Sequence, residues 1–273
     1  VTFDGDDIPL CDVTMVKLPE GYNGFFIHMD HRLIDSCGLV VMINDLMQLY
    51  THYKFGSAYP EDLAVFEDVL DKDLKRANNE KRFAKDKKFW DDQLDALGEP
   101  LYSDIQGPAV LEEARKLHGN KALRAADIEL KNLFVQVKDY YLEPEPTRNL
   151  IAFCMNHQLS MTNLLLLGIR TYLSKVNDGQ EDITIENFIS RRSTHDEWTS
   201  GGSRTIMFPC RTVIPADMDF LAAAYEIQNV QNRIYMHSNY DPALICRMSC
   251  GSAIIRRRTP PMRAATSPIS PCR

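Results

Sequence analysis

The sequence has no apolar run long enough to cross a bilayer, which takes about 18 residues. It also shows no charged segment followed by an apolar one at its start, so a secretory leader is not indicated. Its seven cysteines include no Cys-x-x-Cys pair. An odd number of cysteines without regular spacing favours reduced thiols over a disulfide framework. From these absences we expect a cytoplasmic protein without a membrane segment.

The chain also has no overall excess of positive charge. Its formal net charge of −7 argues against a nucleic-acid-binding surface. The C-terminal end is an exception, because residues 247–273 hold six arginines and four prolines but no acidic residue. We predict that residues 246–273 form a tail that is disordered or foreign to the domain. A basic binding arm is the alternative interpretation.

The rest of the chain alternates between strand and helix patterns, which indicates an α/β protein with mixed sheets. Two apolar strands, Leu10–Leu18 and Tyr22–His31, flank turn residues and predict an antiparallel hairpin. Apolar residues at 39, 43, 46 and 50 then predict a helix. Further helices are predicted at Glu61–Lys75, Glu80–Leu97, Asn149–Gln158, Thr162–Lys175 (with Thr162 as its N-cap) and Asp217–His237, and further strands at residues 182–190 and 204–214.

The segment "EPEPT" at residues 143–147 interrupts this pattern and separates two predicted lobes. Residues 1–140 belong to the first lobe, and residues 141–245 belong to the second. Strand-like alternation over residues 125–142 precedes the break, and "RRSTHDEWTSGG" at residues 191–202 is predicted to be a loop.

Two ionisable residues mark the junction between the second strand and the following helix, in "FFIHMDHRLIDSCGL". Asp35 lies four residues after His31, so its carboxylate can brace the loop that presents the imidazole. An imidazole can take a proton from an amine or a hydroxyl near neutral pH. The junction therefore predicts His31 as a general base, with a purely structural histidine as the alternative.

Other kinds of catalysis find less support in the residues. The chain contains no GxSxG motif and no glycine-rich phosphate loop. The available chemistry is thus the direct, base-assisted attack of one substrate on another, without a covalent enzyme intermediate. His28 and His31 are candidate metal ligands, but their odd spacing along a strand points them to opposite faces. No cluster supplies a third ligand, so no metal is expected.

The stretch "MDHRLIDSCGLVVMINDLMQLY" resembles the core motif of the condensation domains of nonribosomal peptide synthetases, His-His-x-x-x-Asp-Gly followed by a helix. His31 matches the second, catalytic histidine of that motif, and Asp35 matches its aspartate. Later segments of the family are similar, in order, to "KKFWDDQLDAL", "TNLLLLGIRTYLSKVNDGQEDITIENFISRRS", "GSRTIMFPCR" and "QNRIYMHSNYDP". The resemblance runs from about Asp12 to Pro242.

This resemblance implies a fold like that of chloramphenicol acetyltransferase, with two α/β lobes and a channel between them. A donor and an acceptor, each carried on a phosphopantetheine arm or as a small thioester, would enter from opposite sides. His31 would deprotonate or orient the acceptor nucleophile, and Asp35 would hold the loop through an ion pair. The resemblance implies no bound cofactor, and it implies carrier proteins or small thioesters, including CoA esters, as partners.

The chain departs from the family pattern at three positions. Asp30 stands at the first histidine of the motif, Ser36 at its glycine, and Ile206 at an asparagine of a later motif. The Ser36 side chain either narrows the channel or donates to a developing oxyanion. Its structural alternative is a helix N-cap.

The family's usual arginine partner for the motif aspartate would lie upstream of this sequence. Arg191, Arg192 and Arg204 are the candidate replacements, although a loop arginine is more often solvated. The closing part of the second lobe would fall where the arginine-rich tail stands. We therefore expect an internal piece of a longer domain, incomplete at both ends.

The sequence predicts a condensation-type acyltransferase that forms an amide, or less often an ester, from a thioester donor. One alternative is a free-standing acyltransferase of the same fold that uses acyl-CoA. A second alternative is a catalytically inactive binding module that docks partner enzymes, and the third is an α/β domain with a structural histidine.

Overall fold

The computed structural model describes residues 8–98, 100–124, 126 and 136–249. Helices dominate this part of the chain, and the strands form two separate two-stranded sheets. In chain order the elements are β1 (Cys11–Lys17), β2 (Asn23–Met29), α1 (Ser36–Phe55), α2 (Phe66–Ala77), α3 (Glu80–Leu97), α4 (Ala109–Leu117), α5 (Pro144–Asn156), α6 (Met161–Val176), β3 (Asp182–Ile189), α7 (His195–Thr199), β4 (Ile206–Val213), α8 (Phe220–Met236) and α9 (Pro242–Ser249).

The predicted hairpin of β1 and β2 is confirmed. The strands pair antiparallel, with Cys11 opposite Met29 and Lys17 opposite Asn23. A short 3-10 turn at Pro19–Gly21 joins them. Gly21 has a φ of 80°, a left-handed backbone conformation that glycine adopts without steric cost. Strand β2 of this hairpin leads directly into the loop that carries His31.

Helix α1 begins earlier than the apolar pattern predicted. Asp35 is its N-cap, and its carboxylate accepts a hydrogen bond from the backbone N–H of Gly38. A carboxylate at this position satisfies a donor that has no partner within the helix. The alternative assignment of Ser36 as the cap is therefore wrong, because Ser36 is the first residue inside the helix. The helix ends at Phe55, and its C-cap is Gly56, whose φ is 72°.

Helices α5 and α6 correct two local predictions. The prolines of the "EPEPT" segment do not precede α5 but begin it, because Pro144 occupies the first turn, where a missing N–H costs nothing. The N-cap of α6 is Ser160, which accepts from the backbone N–H of Asn163 at 3.1 Å, so the assignment of Thr162 as the cap is wrong. Three short helices, α4, α7 and α9, were not predicted.

The described residues fall into two compact units. The first contains the chain up to Phe89 together with Ile185–Cys210 and Asn229–Asp241. Its buried apolar residues are Val69, Ile189, Phe208, Cys210, Val230, Ile234 and Tyr240. The second unit contains Trp90–Thr184, Arg211–Gln228 and the residues from Pro242 on. Its buried apolar residues include Trp90, Cys154, Leu159, Leu164, Leu167, Leu173, Ile183, Ile214, Ala224 and Ile227.

The predicted lobes, residues 1–140 and 141–245, stay a prediction. Most of the strand-like segment at residues 125–142 lies outside the described residues, as do residues 250–273 of the predicted tail. Among the described helices, none is long and apolar enough by itself to span a membrane. Helices α5 and α6 reach the required length and composition only as a pair bent by 109°.

The N-cap of α6 provides a test of this local structure. Replacing Ser160 by Ala removes the acceptor for the Asn163 N–H, so we expect the free energy of unfolding to fall by about 1 kcal/mol in urea denaturation. Thr162→Ala is the matched control, because Thr162 is exposed within the helix and we expect a smaller change. An equal loss in both variants would contradict the assignment of the cap.

Candidate active site

The loop between β2 and α1 presents His31 at the surface. Strand β2 ends at Met29, and the backbone N–H of Leu33 donates to the carbonyl of Asp30 at 3.0 Å, closing a turn. The Asp30 carboxylate accepts from the N–H of Arg32 at 2.7 Å and from its Nε at 3.0 Å. These hydrogen bonds to Arg32 hold the pKa of Asp30 below its usual value. Asp30, which stands where the family motif has a histidine, thus stabilises the turn that exposes His31.

Asp35 lies at the other end of this loop and is almost completely buried, with 2% of its surface exposed. Its carboxylate accepts five hydrogen bonds. Oδ1 accepts from Gly38 N at 2.8 Å and from Arg192 Nη2 at 3.0 Å, and Oδ2 accepts from Arg204 N at 2.7 Å, Thr205 N at 2.9 Å and Thr205 Oγ1 at 3.0 Å. The carboxylate therefore joins the first turn of α1 to the segment that precedes β4.

The hydrogen bonds around Asp35 also set its charge. Burial alone would raise its pKa, because the charged form loses hydration. The backbone N–H groups of Arg204 and Gly38, together with the hydroxyl and N–H of Thr205, outweigh burial and lower the pKa to about 2. Asp35 is consequently ionised at neutral pH although it lies in the interior.

Arg192 is the arginine that pairs with Asp35. Both side chains are buried, at 0% and 2% exposure. The same guanidinium group donates to the carbonyls of Gly201 and Gly202, each at 2.9 Å. The expectation that a loop arginine would be solvated is wrong here, because this loop is folded back against the carboxylate.

Arg191 and Arg204 bind a different carboxylate, that of Asp73 on α2. Arg204 Nη1 lies 2.8 Å from Asp73 Oδ2, and Arg191 Nη2 lies 3.0 Å from the same atom. The backbone N–H of Arg204 donates to Asp35, so Asp73 holds in place a residue that in turn holds Asp35. Sequence reasoning missed Asp73, since no motif or spacing relates it to residues more than a hundred positions away.

Glu197 continues this charged cluster. Its carboxylate accepts from the N–H groups of Ser193 at 2.7 Å and Thr194 at 2.9 Å, and from Arg76 Nη1 at 3.1 Å. Burial opposes ionisation, but these hydrogen bonds prevail and lower its pKa to about 2. Thr194 and Glu197 form a capping box, which explains why α7 interrupts a segment that was predicted to be a loop.

Two glycines allow the first turn of α1 to pack closely against the segment that precedes β4. A Cβ atom on Gly38 would lie 2.4 Å from the carbonyl oxygen of Gly202, and one on Gly202 would lie 2.4 Å from the ring of Phe66. Gly202 also has a φ of 67°, which disfavours other residues. Glycine is thus required on steric grounds at position 38. The glycine of the family motif falls two residues earlier, where this chain has Ser36.

A cavity of about 580 Å³ opens at the junction. It is lined by Phe25, Ile27, His28, Met29, Asp30, His31, Ile34, Asp35, Ser36, Leu39, Met42, Ile43, Leu46 and Met47. The sequence-predicted residues His31, Asp35 and Ser36 are thus brought together at one cavity. Because β2 ends before His31, strand alternation does not separate the two histidines, and His28 lines the same cavity. In the described part of the chain, no group of three or more His, Cys, Asp or Glu residues could hold a metal ion.

The fold is similar to that of solved condensation domains. The first condensation domain of the calcium-dependent antibiotic synthetase matches with a TM-score of 0.68 and 15% identity, over 90% of this chain and 50% of that one. VibH, a condensation enzyme, matches with a TM-score of 0.68 and 13% identity, over 89% of this chain and 52% of that one. These likenesses confirm the predicted class, an α/β protein with a chloramphenicol acetyltransferase-like fold.

The family follows from the sequence match. The model of the condensation domain matches residues 2–249, and the chain belongs to this family. A plipastatin synthase subunit of Bacillus subtilis is 21% identical over 234 residues, which is 85% of this chain and 8% of that protein. The chain therefore spans about half the length of the solved condensation domains and a small part of this synthase.

The charge of Asp35 predicts how stability depends on pH. Because its folded pKa of about 2 lies below the ordinary value of 3.8, ionised Asp35 stabilises the fold above about pH 4, and this contribution is lost as pH falls towards 2. We expect the free energy of unfolding of the parent chain to fall by about 2 kcal/mol more than that of Asp35→Asn between about pH 5 and pH 2. Parallel curves for the parent and Asp35→Asn would contradict the assignment.

The Asp73 contacts predict a contrast between two ion pairs. Asp73→Asn removes the nearer of two carboxylates from the Arg204 guanidinium, which is 2% exposed and keeps Glu197 Oε1 at 3.5 Å, and we expect a loss of about 3 kcal/mol in the free energy of unfolding. Asp196→Asn removes the partner of Lys72 from a pair whose side chains are both about half exposed, and we expect a loss below about 1 kcal/mol. Chemical denaturation measures both, and losses of equal size would refute the role of Asp73.

Proposed function

We propose that this chain is a condensation-type acyltransferase in which His31 assists the attack of an acceptor nucleophile on a thioester donor. The product is an amide, or less often an ester. The proposal rests on the geometry of the loop between β2 and α1. An exposed imidazole and a buried, ionised aspartate lie at opposite ends of one short loop, and both line the same cavity.

In this mechanism, the acceptor amine or hydroxyl lies against His31 and gives its proton to the imidazole as it attacks the thioester carbonyl. A new C–N or C–O bond forms, and the carbonyl becomes a tetrahedral oxyanion. When this intermediate collapses, the C–S bond breaks, and the thiolate leaves with the proton that His31 had taken. Holding both reactants in one cavity removes much of the entropic cost of their encounter.

Asp35 acts in this mechanism as a positioning residue. Its five hydrogen bonds come from α1 and from the segment before β4, so the carboxylate has little capacity left for a substrate proton. Ser36 is exposed and lines the cavity at the first turn of α1. Its hydroxyl is therefore our candidate donor to the oxyanion, at a helix end that favours negative charge.

We further propose that the thioesters are presented on the phosphopantetheine arm of acyl or peptidyl carrier proteins in the cytoplasm, with no cofactor held by the chain itself. Similarity to a peptide synthase supports carrier proteins over free CoA esters. Turnover of a CoA ester alone, with no gain from a carrier-bound donor, would favour the free-standing acyltransferase.

A catalytically inactive binding module is the second candidate. Asp30 and Ser36 favour it, because both depart from the family motif. An intact His31, on a loop that Asp35 anchors through five hydrogen bonds, favours the enzyme.

Replacing His31 by Ala separates the enzyme from the binding module. In the full-length protein that contains these 273 residues, we expect acyl transfer from thioester donors to amines and alcohols to fall by about 10²–10⁴-fold, which is the usual contribution of a general base. His28→Ala is the matched control, since His28 lines the same cavity, and we expect a far smaller loss. Product formation is followed by mass spectrometry and thiol release.

Two outcomes would overturn the proposal. If the folded parent gives no product with any donor and acceptor, the binding module is the better conclusion. If both histidine variants lose the same activity, His31 has no special role as a base.

A further inference from the structure

Asp30, which stands where the family motif has its first histidine, forms hydrogen bonds through both its backbone and its side chain. Its N–H donates to the carbonyl of Leu10 at 2.9 Å, and its carbonyl accepts from the N–H of Leu33 at 3.0 Å. Its carboxylate accepts from the N–H, Nε and Nη2 of Arg32, at 2.7, 3.0 and 3.1 Å. The residues on either side of His31 are therefore bound to each other.

We propose that the Asp30–Arg32 pair positions His31 for catalysis, by anchoring the loop at the end opposite Asp35. This inference rests on the proposed function, because it assigns the pair a role in the reaction of His31. His31 is the second residue of the four-residue turn at 30–33, so the hydrogen bonds that close this turn fix its backbone. An aspartate that begins a turn commonly accepts from the N–H two residues on, as Asp30 does. A fixed backbone limits the directions in which the imidazole can point.

The geometry of the pair distinguishes it from an ordinary surface ion pair. The side chains of Arg32 and Asp30 are 51% and 18% exposed, and a pair with one contact at such exposure contributes little to stability. Here Nε and Nη2 of Arg32 bind the two different oxygens of the Asp30 carboxylate. Two parallel hydrogen bonds of this kind are both stronger and more directional than a single contact. The pair can therefore hold a defined turn although it lies at the surface.

A histidine at position 30 cannot make the same contacts to Arg32. A neutral imidazole has one acceptor nitrogen, and an imidazolium has none, whereas the Asp30 carboxylate accepts three hydrogen bonds from Arg32. Aspartate at position 30 and arginine at position 32 are thus matched to each other in this chain. It follows that restoring the family residue at position 30 alone weakens the site.

The kinetics of acyl transfer by the full-length protein test the inference. We compare kcat and KM of the parent with those of Asp30→Ala, Arg32→Ala, the double variant and Asp30→His. A misplaced base impairs the transition state more than substrate binding, so we expect kcat of Asp30→Ala to fall about tenfold while KM stays within about twofold. Because the two residues act as a unit, the double variant should be no slower than Asp30→Ala. Asp30→His should lose as much as Asp30→Ala.

Two further variants separate geometry from charge. Arg32→Lys keeps the positive charge but cannot bind both oxygens in parallel, so we expect its kcat to fall as much as that of Arg32→Ala. Lys72→Ala is the matched control, because it breaks the pair with Asp196, whose side chains are both about half exposed, and its kcat should not change. Thermal unfolding checks that each variant is folded. If Asp30→Ala is not, the Arg32 variants decide, since they alter only an exposed side chain.

An NMR spectrum of the protein labelled with [¹³Cε1]histidine separates this inference from the proposed function. The signal of His31 is assigned by its loss in His31→Ala, and we expect it to shift or broaden in Asp30→Ala but not in Lys72→Ala. Unchanged kcat in the Asp30 and Arg32 variants, additive losses, or a fully active Asp30→His would overturn the positioning role alone. Acyl transfer that does not depend on His31 would overturn the proposed function, and the expected NMR change would still support the pair as the anchor of the imidazole.

Discussion

A single buried charge organises the first unit of this structure. The Asp35 carboxylate is ionised in the interior, and an ion there is stable only when hydrogen bonds replace its lost hydration. Five donors do so, drawn from α1, from the loop after β3 and from the segment before β4. Segments separated by more than 150 residues must therefore meet at one point.

The residues that donate hydrogen bonds to Asp35 are themselves held in place by further contacts. Arg204 contributes only its backbone N–H to Asp35, and its guanidinium is held by Asp73. Arg192 spreads its N–H groups between Asp35 and the carbonyls of Gly201 and Gly202. The first turn of α1 lies so close to the Gly202 carbonyl that residue 38 must be glycine. Asp73 on α2 thus supports the His31–Asp35 loop through Arg204.

The features that could be predicted from sequence are those fixed by local physics. Apolar periodicity and turn residues identified the β1–β2 hairpin, the bounds of α3, and the strand-to-helix junction that holds His31 and Asp35. The caps were wrong at Thr162 and Ser36, because both helices begin earlier than predicted. Ser160 and Asp35 accept from the N–H groups of Asn163 and Gly38, which places Thr162 and Ser36 inside the helices.

Contacts between residues far apart in the sequence could not be predicted from such local patterns. The sequence offered three arginines for Asp35, and their spacing does not distinguish them. The structure selects the Arg192 guanidinium, because the guanidinium groups of Arg191 and Arg204 bind Asp73 instead. The cavity lining was also beyond prediction, since it combines alternate residues of a strand with one face of a helix.

The His31–Asp35 loop has an exposed residue at one end and a buried one at the other, and this difference suits the proposed acyl transfer. Asp35 is anchored on all sides, so it can hold the loop without exchanging protons with a substrate. His31 lies at the surface of the cavity, where an acceptor can reach its ring. In the proposed mechanism, the base that contacts the substrate needs a fixed support. The support is the Asp35 carboxylate, whose hydrogen-bond donors come from three parts of the chain.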